Sequence, residues 1–547
     1  MDLIQKIRQF LANENVDYLL VNATNEFLAE YTELEENSRY FLTNFSGSTG
    51  DALISQENLF LFVDGRYHQQ ADLEVDKKNV SVVKMKMNQT FSECLSEKIE
   101  PNKTLVLVAK KTSQSRFEIL KGLLEKKDIV VKLLMFDPIT NVLEKAQKTP
   151  NTKIEHIDKK IVGLSADEKI ELVSAEIDPN QSILTTSSEE ISYICNLRDF
   201  SVNYSSKING KLLIMNDLSV LFTNDSIEEF SPKIKVLKLD EFGDYIKNLA
   251  NIYTFLGDKI TINAYDYDIL IKKAEFLNKN LIKEMKSIKT DAEIAHYKEC
   301  FKRTDEAILA TRNFIEANEN LSEYDITKNL EENFYKFGAK SLSFKPIVAK
   351  DKNAALAHYT KNSKSEILKD GSLVLIDCGA YYEGGYATDC TRVFVKGQPT
   401  ELQKNIYTIV LKGFLAAFNK NIIENTSGFA LDRVARKILD EYAPEGFAFS
   451  HALGHGIGIN VHESPPNLGL SPIAKTPLKP NMCFTIEPGL YKTDFGGVRL
   501  ENTCYLEQNG AKLMIKSFSN MPFEKKLIDF AMLTKQEQKW LNEFEVI

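Results

Sequence analysis

Residues Leu373 to Arg392 read LVLIDCGAYYEGGYATDCTR, and the way this stretch folds decides what the surrounding chain can build. Leu373 to Ile376 is an apolar run of the kind that forms a buried strand. The glycine-bearing segment Tyr381 to Gly385 offers a reversal. Tyr386 to Val395 then alternates as a second strand does. A hairpin of this kind sets Asp377 and Asp389 on neighbouring strands. Two carboxylates in a mostly apolar hairpin are costly to bury unless something compensates them. Either they pair with cationic side chains or they hold metal.

The totals narrow the classes. A chain of 547 residues is too long for one ordinary core and suggests roughly two to four domains. Hydrophobic residues at 43% and charged residues at 27% describe a soluble globular composition. A net charge of -9, with lysines scattered and no basic tail, argues against a general nucleic-acid binder. No apolar run reaches bilayer length. The N-terminus MDLIQKIRQFLANENVDYLLV mixes charged and apolar residues at helical spacing and does not read as a signal peptide. The seven cysteines (94, 195, 300, 378, 390, 483 and 504) are odd in number and lack CxxC spacing. That pattern fits a reducing cytoplasm without a disulfide framework. Cys378 and Cys390 follow the two aspartates, so on strands they point to the opposite face and read as packing residues.

The fold class is α/β and α+β. Residues 1–150 predict an α/β domain: a helix from Leu3, strands at Tyr18–Val21, Ala52–Ser55, Leu59–Val63, Val80–Met85 and Thr104–Val108, and helical stretches between. Residues 151–286 repeat the order of parts, with a helix from Ala166, a strand at Ser182–Thr185, a helix toward Arg198 and strands at Lys211–Met215 and Val220–Phe222. This reads as an internal duplication. The polar segment Lys286 to Glu293 opens a third domain, 287–547. It starts with a long helix through Ala317, capped by Thr290 or Asp291, and a second helix from Tyr324, capped by Ser322.

Five segments of the third domain carry the candidate chemistry. They hold Asp377 (IDCG), Asp389 (TDCTR), His455 (GHGIG), Glu487 (TIEPGLY) and Glu501 (GVRLEN). Four carboxylates and one imidazole suit a pair of divalent ions with bridging carboxylates, and oxygen-rich ligation with one nitrogen fits Mn²⁺, Co²⁺ or Zn²⁺. Of only seven histidines, His358, His451, His455 and His462 fall beside these segments. Glycines flank His455, as expected where backbone must approach closely.

In this order the five segments resemble the pita-bread metallopeptidases, family M24. The neighbours Ala357-His358-Tyr359, GHGIGINVHESP (454–465) and Glu487-Pro-Gly-Leu-Tyr491 resemble the Xaa-Pro aminopeptidase (aminopeptidase P) branch. Its long cytosolic three-domain form carries motifs similar to Phe45–Gly50, Asp64–Tyr67, Asn196–Arg198 and the tail from Pro522 to Asn542. The resemblance covers nearly the whole chain, with Asp199 standing where the family usually has Gly. It implies two creatinase-N-like α/β domains before a pita-bread catalytic domain. It implies two divalent ions, Mn²⁺ first and Co²⁺ or Zn²⁺ as alternatives. Asp377 would chelate one ion, His455 and Glu487 the other, with Asp389 and Glu501 bridging and a water or hydroxide between the ions as nucleophile. Glu487 would also handle its proton. His358 and His462 would stabilise the tetrahedral intermediate or move protons, and His451, Tyr491 and Arg499 would line the pocket for the substrate's proline. Substrates would be peptides with proline second, cleaved by a homodimer in the cytoplasm, with neither nucleic acid nor membrane as partner.

Other readings stand beside this one. Arg392 is near enough in sequence to pair with Asp389 as a structural ion pair. A prolidase would take only Xaa-Pro dipeptides. A pita-bread binding module that has lost its metals predicts missing ligands, and none of the five is missing. His68, His156 and His296 read as surface or helix residues, Asp64 and Arg66 as pins of a turn, and the lysine-rich helices as solvated faces.

Overall fold

The computed structural model describes residues 2–547 except 31, 33, 87–88, 144–153, 229 and 511. It divides into two compact units. One comprises residues up to 154 with 166–195 and 208–282, and the other comprises 155–165, 196–207 and 283–547. The boundary expected at 150/151 lies outside the described residues.

The first unit contains two six-stranded sheets. The first sheet is built from β1 (Tyr18–Val21), β2 (Asp51–Ile54), β3 (Leu59–Val63), β4 (Ser81–Lys84), β5 (Thr104–Val108) and β6 (Val130–Leu134), in the order β4-β3-β2-β1-β5-β6. The second is built from β7 (Gln181–Thr185), β8 (Lys211–Ile214), β9 (Ser219–Phe222), β10 (Ile234–Leu237), β11 (Thr254–Gly257) and β12 (Glu275–Asn278), in the order β10-β9-β8-β7-β11-β12. Strand directions repeat as well. β1 runs antiparallel to β2 and parallel to β5, as β7 does to β8 and β11. The helix between the first two strands also recurs, at Ser38–Thr43 and Ser188–Cys195. The duplication read in the sequence is therefore a repeat of order and direction throughout.

Period-two alternation explains why these strands form. In the first sheet Leu19, Val21, Leu61, Val63, Val106 and Val108 enter one apolar cluster. Leu20, Leu53, Phe62, Leu105 and Leu107 enter another on the opposite face. Each such side chain contributes about 1.5–3 kcal/mol when buried. Asp64 and Arg66 pin a turn here, as their sequence suggests: the guanidinium donates to both carboxylate oxygens (3.0 and 2.7 Å) and to Thr49 Oγ1 (3.2 Å).

The second unit carries the five candidate segments. Thr290 caps the helix Asp291–Ala317 in a reciprocal box with Glu293, and Ser322 caps Glu323–Lys336 in the same way with Asp325. Three antiparallel strands, Ile347–Lys350, Leu373–Cys378 and Cys390–Val395, lie side by side in that order. A five-stranded antiparallel sheet orders Glu463–Leu468, Gly454–Gly456, Cys483–Ile486, Asn502–Asn509 and Lys512–Ser517. Gly489–Lys492 and Gly496–Arg499 form a separate hairpin. Helices Glu401–Phe418 and Gly428–Tyr442 supply Ile406, Val410, Phe414, Leu431, Ala435 and Leu439 to the core under these strands.

The 373–392 hairpin forms, with one adjustment. The second strand starts at Cys390 rather than Tyr386: Ala380–Tyr381 pairs with Ser341–Leu342 on one side and keeps an isolated bridge, Tyr381 to Ala387, on the other. Chain reversal follows at Tyr382–Gly385, where Gly384 and Gly385 both take positive φ. Asp377 lies opposite Thr391, and Asp389 sits one residue before its strand. Cys378 lies directly opposite Cys390, both inside an apolar cluster, and all seven cysteines are buried free thiols.

Candidate metal centre

Strand ends and the turns beside them bring the five ligand candidates together. Asp377 is in its strand, and His455 is the middle residue of Gly454–Gly456. Glu487 directly follows Cys483–Ile486, and Glu501 lies between Gly496–Arg499 and Asn502–Asn509. One donor atom each from Asp389, His455 and Glu501 lies within 4.8 Å of the others. His455 Nε2 is 3.5 Å from Asp389 Oδ2 and 3.6 Å from Glu487 Oε1. Gly454 is required beside it, because a Cβ there would overlap the Thr485 backbone carbonyl.

Hydrogen bonds fix which atoms are left for a ligand. His455 Nδ1 lies 3.0 Å from the Gly456 carbonyl, which can only accept, so Nδ1 carries the proton. Nε2 is then the ring nitrogen turned toward the Asp389 and Glu487 carboxylates. Arg499 Nη2 takes Asp377 Oδ2 at 2.6 Å, and Thr391 Oγ1 takes Glu501 Oε2 at 2.7 Å. The other oxygens, Asp377 Oδ1 and Glu501 Oε1, are buried without a hydrogen-bond partner, as is Asp389 Oδ1. Orphaned buried anionic oxygens around one imidazole nitrogen are the donor set a hard or borderline divalent ion takes.

Electrostatics point the same way. Burial, then Glu501, pushes the Asp389 and Glu487 carboxyls well above their usual range. Burial and Asp377 push Glu501 up to about 8. Burial opposes the charge of Arg499, yet Tyr491, Asp377 and Glu487 hold its guanidinium well above its ordinary value. One guanidinium does not balance four carboxylates, and added cations would.

The alternative in which Arg392 neutralises Asp389 does not describe this molecule. Arg392 is fully buried and spends its donors on the carbonyls of Thr391, Glu501, Met521 and Pro522 and on Asn502 Oδ1.

The predicted substrate-side residues fall around this core. Arg499 Nη1 donates to Tyr491 Oη at 2.7 Å, and Tyr491 Oη lies 2.8 Å from His451 Nε2. His451 Nδ1 faces the Ala452 carbonyl at 2.8 Å, so it carries the proton and Nε2 accepts from the tyrosine. The His462 ring stands edge-on to His455 with centroids 4.4 Å apart. His358 is part-exposed in a turn between Ala357, whose carbonyl accepts from Arg499 Nη2 (3.3 Å), and Tyr359, whose hydroxyl donates to Glu323.

This geometry can be set against known proteins. Residues 295–508 match the model of metallopeptidase family M24. Residues 4–143 and 144–293 each match a creatinase/prolidase N-terminal domain. A probable Xaa-Pro aminopeptidase P of Coprinopsis cinerea is 27% identical over 98% of this chain and 93% of its own length. The X-prolyl aminopeptidase of Caenorhabditis elegans, described as a cytosolic enzyme with a di-nuclear active site, shares the fold with a TM-score of 0.91 at 21% identity, over 99% of this chain and 94% of that one. The prolidase of Pyrococcus horikoshii, 27% identical with a TM-score of 0.53, aligns along its full length with 68% of this chain.

Two features of the second unit were not assigned from sequence. Thr391 was quoted only as part of a motif, although it lies two residues from Asp389 and opposite Asp377, the spacing that puts all three on one face. Lys286 and Lys289 lie in a segment read only as polar, yet each side chain is 3% exposed and faces Glu463.

Proposed function

We propose that this chain is a dinuclear, metal-dependent Xaa-Pro aminopeptidase, releasing the first residue of peptides with proline in second position. The observation that carries this reading is the set of orphaned carboxylate oxygens on Asp377, Asp389 and Glu501 around His455. It sits in an M24 domain preceded by two creatinase/prolidase N-terminal domains, an arrangement shared end to end with relatives named for this activity.

Asp377, Asp389, His455, Glu487 and Glu501 would hold two divalent ions, Mn²⁺ in our reading and Co²⁺ or Zn²⁺ as alternatives. When bound, such ions supply activation of water near neutral pH and polarisation of the scissile carbonyl. Glu487, beside His455, would also hold the proton taken from the attacking water. His462, edge-on to His455, and His358 would stabilise the tetrahedral intermediate or move protons. Arg499 fixes Asp377 and Tyr491, and Tyr491 fixes His451. With both nitrogens engaged by the protein, His451 offers the substrate's proline the body of its ring, backed by Phe449 at 4.9 Å. Proline needs such a shaped wall because its nitrogen has no N–H to be recognised and its ring restricts the backbone.

The same reading divides the chain into domains at 1–150, 151–286 and 287–547 and makes it a cytoplasmic homodimer. Among the described residues no helix is long and apolar enough to cross a membrane. Sedimentation showing only a 62.1 kDa species would remove the dimer.

The test is hydrolysis of Arg-Pro-Pro by metal-stripped protein with Mn²⁺, Co²⁺ or Zn²⁺ restored separately and Asp389→Ala as control. Metal-dependent release of arginine, lost in the control, is expected. Cleavage of Arg-Pro alone would make the protein a prolidase, the reading favoured by its similarity to the Pyrococcus enzyme. Silence toward both would leave a binding module.

A further inference from the structure

We propose that Glu463, clamped by Lys286 and Lys289, is a positioning residue that sets His462 against the metal centre through Asn460. This rests on the role given to His462 above. Glu463 Oε2 lies 2.6 Å from Lys286 Nζ and 3.5 Å from Lys289 Nζ, and all three side chains are at most 3% exposed. Glu463 Oε1 accepts from the Asn460 backbone N–H at 3.1 Å. The Asn460 side-chain amide then donates to the His462 carbonyl at 3.1 Å, and its oxygen accepts from Lys207 Nζ at 2.7 Å. Asn460 thus donates both to the Glu463 carboxylate and to the His462 backbone carbonyl, and so ties the backbone that carries the imidazole to the clamped carboxylate.

The loop is wrapped around that carboxylate. A Cβ at Gly458 would overlap the Glu463 carboxylate, so a larger residue there would push that carboxylate from its place. Gly458 in turn donates to the Asn460 carbonyl (3.0 Å) and accepts from Ala387 N–H (2.8 Å), which ties the loop to the segment before Asp389. The lysines are anchored independently. Lys289 exchanges two hydrogen bonds with Asn481, backbone N–H to carbonyl and side-chain amide to carbonyl, both at 3.0 Å. Lys289 Nζ also donates to the Lys286 carbonyl at 2.9 Å.

Stability alone does not account for this trio, because well-packed apolar side chains of similar volume hold a buried position about as well. Charge-assisted hydrogen bonds add direction. A displacement of about 1 Å at a reacting group costs on the order of 100-fold in rate.

The test is a cycle of kcat and KM for Arg-Pro-Pro on the Mn²⁺-loaded full chain. It uses wild type, the charge-balanced pair Glu463→Gln with Lys286→Met, His462→Ala, and the three changes together. The pair is expected to lower kcat by about 10- to 100-fold, with KM within about threefold and metal content unchanged. On the His462→Ala background the same pair is expected to cost under about threefold. An equal loss in both backgrounds, or no loss in the first, overturns the proposal. If the pair does not fold, Lys286→Met, which leaves Glu463 its second lysine, carries the same cycle with a smaller coupled loss. If wild type cleaves nothing, the aminopeptidase reading fails, and the positioning claim is read directly from ¹³C-labelled histidine spectra. Lys286→Met is expected to move the resonance that His462→Ala removes, and an unmoved resonance overturns it.

Discussion

Two buried carboxylate centres occupy the second unit, and their charges are arranged in opposite ways. At Glu463, burial raises the carboxyl's pKa, but Lys286 and Lys289 outweigh it and hold the group down at about 2. At the cluster of Asp377, Asp389, Glu487 and Glu501, burial and mutual repulsion prevail, and Glu501 rises to about 8. The groups are the same and the burial is similar. What differs is whether the protein closes the charge with its own cations. A closed centre holds geometry, whereas an open one, with three oxygens lacking partners, is where added cations belong.

That comparison breaks first at the open centre. Asp389→Asn keeps the shape of the side chain and removes its charge. Peptide hydrolysis is expected to fall by at least about 1,000-fold as ion activation is lost, and initial rates at saturating Mn²⁺ check this. Retained activity would mean that the open centre needs no cation.

The closed centre breaks differently. Glu463→Ala leaves two buried lysines without their carboxylate, and removal of one partner from a buried ion pair costs about 3–5 kcal/mol. Denaturant unfolding, metal-loaded and metal-free, should show a similar loss in both states. A loss seen only with metal would merge the two centres into one.

Between them lies Thr391, which occupies one oxygen of Glu501 and leaves the other free. Thr391→Val is expected to weaken divalent-ion affinity by about 10- to 100-fold, the usual scale for a group that orients a ligand, while the fold stays intact. Titration calorimetry reads it, and unchanged affinity would remove Thr391 from the site.

The smallest effect is the pH dependence of the closed centre. Glu463 has a depressed folded pKa, so its stabilisation is complete above about pH 4.5 and is lost as pH falls toward about 2. The stability of wild type relative to the Glu463→Gln, Lys286→Met pair should therefore fall as pH drops through that window. A relative stability that rises on acidification would contradict the sign.

Much of this was legible in the amino-acid order. The apolar run Leu373–Ile376, the Thr290–Glu293 cap and the alternation of the sheet strands depend on neighbours a few residues away, so local spacing declared them. The five ligand segments were legible because carboxylates in apolar runs need an explanation. Partners that meet across the fold were not legible. Arg392 stands near Asp389 in sequence, yet it binds carbonyls. Lys286 and Lys289 stand in a polar segment, and the Glu463 that they face opens a strand far along the chain.

The central claim is that the open centre takes two divalent ions. Metal content of the purified chain, measured by mass spectrometry after dialysis against Mn²⁺ and compared with Asp389→Asn, tests it most directly. Two ions per chain, falling to one or none in the variant, is the expected result. One ion or none in the wild type, with full activity toward Arg-Pro-Pro, would contradict it.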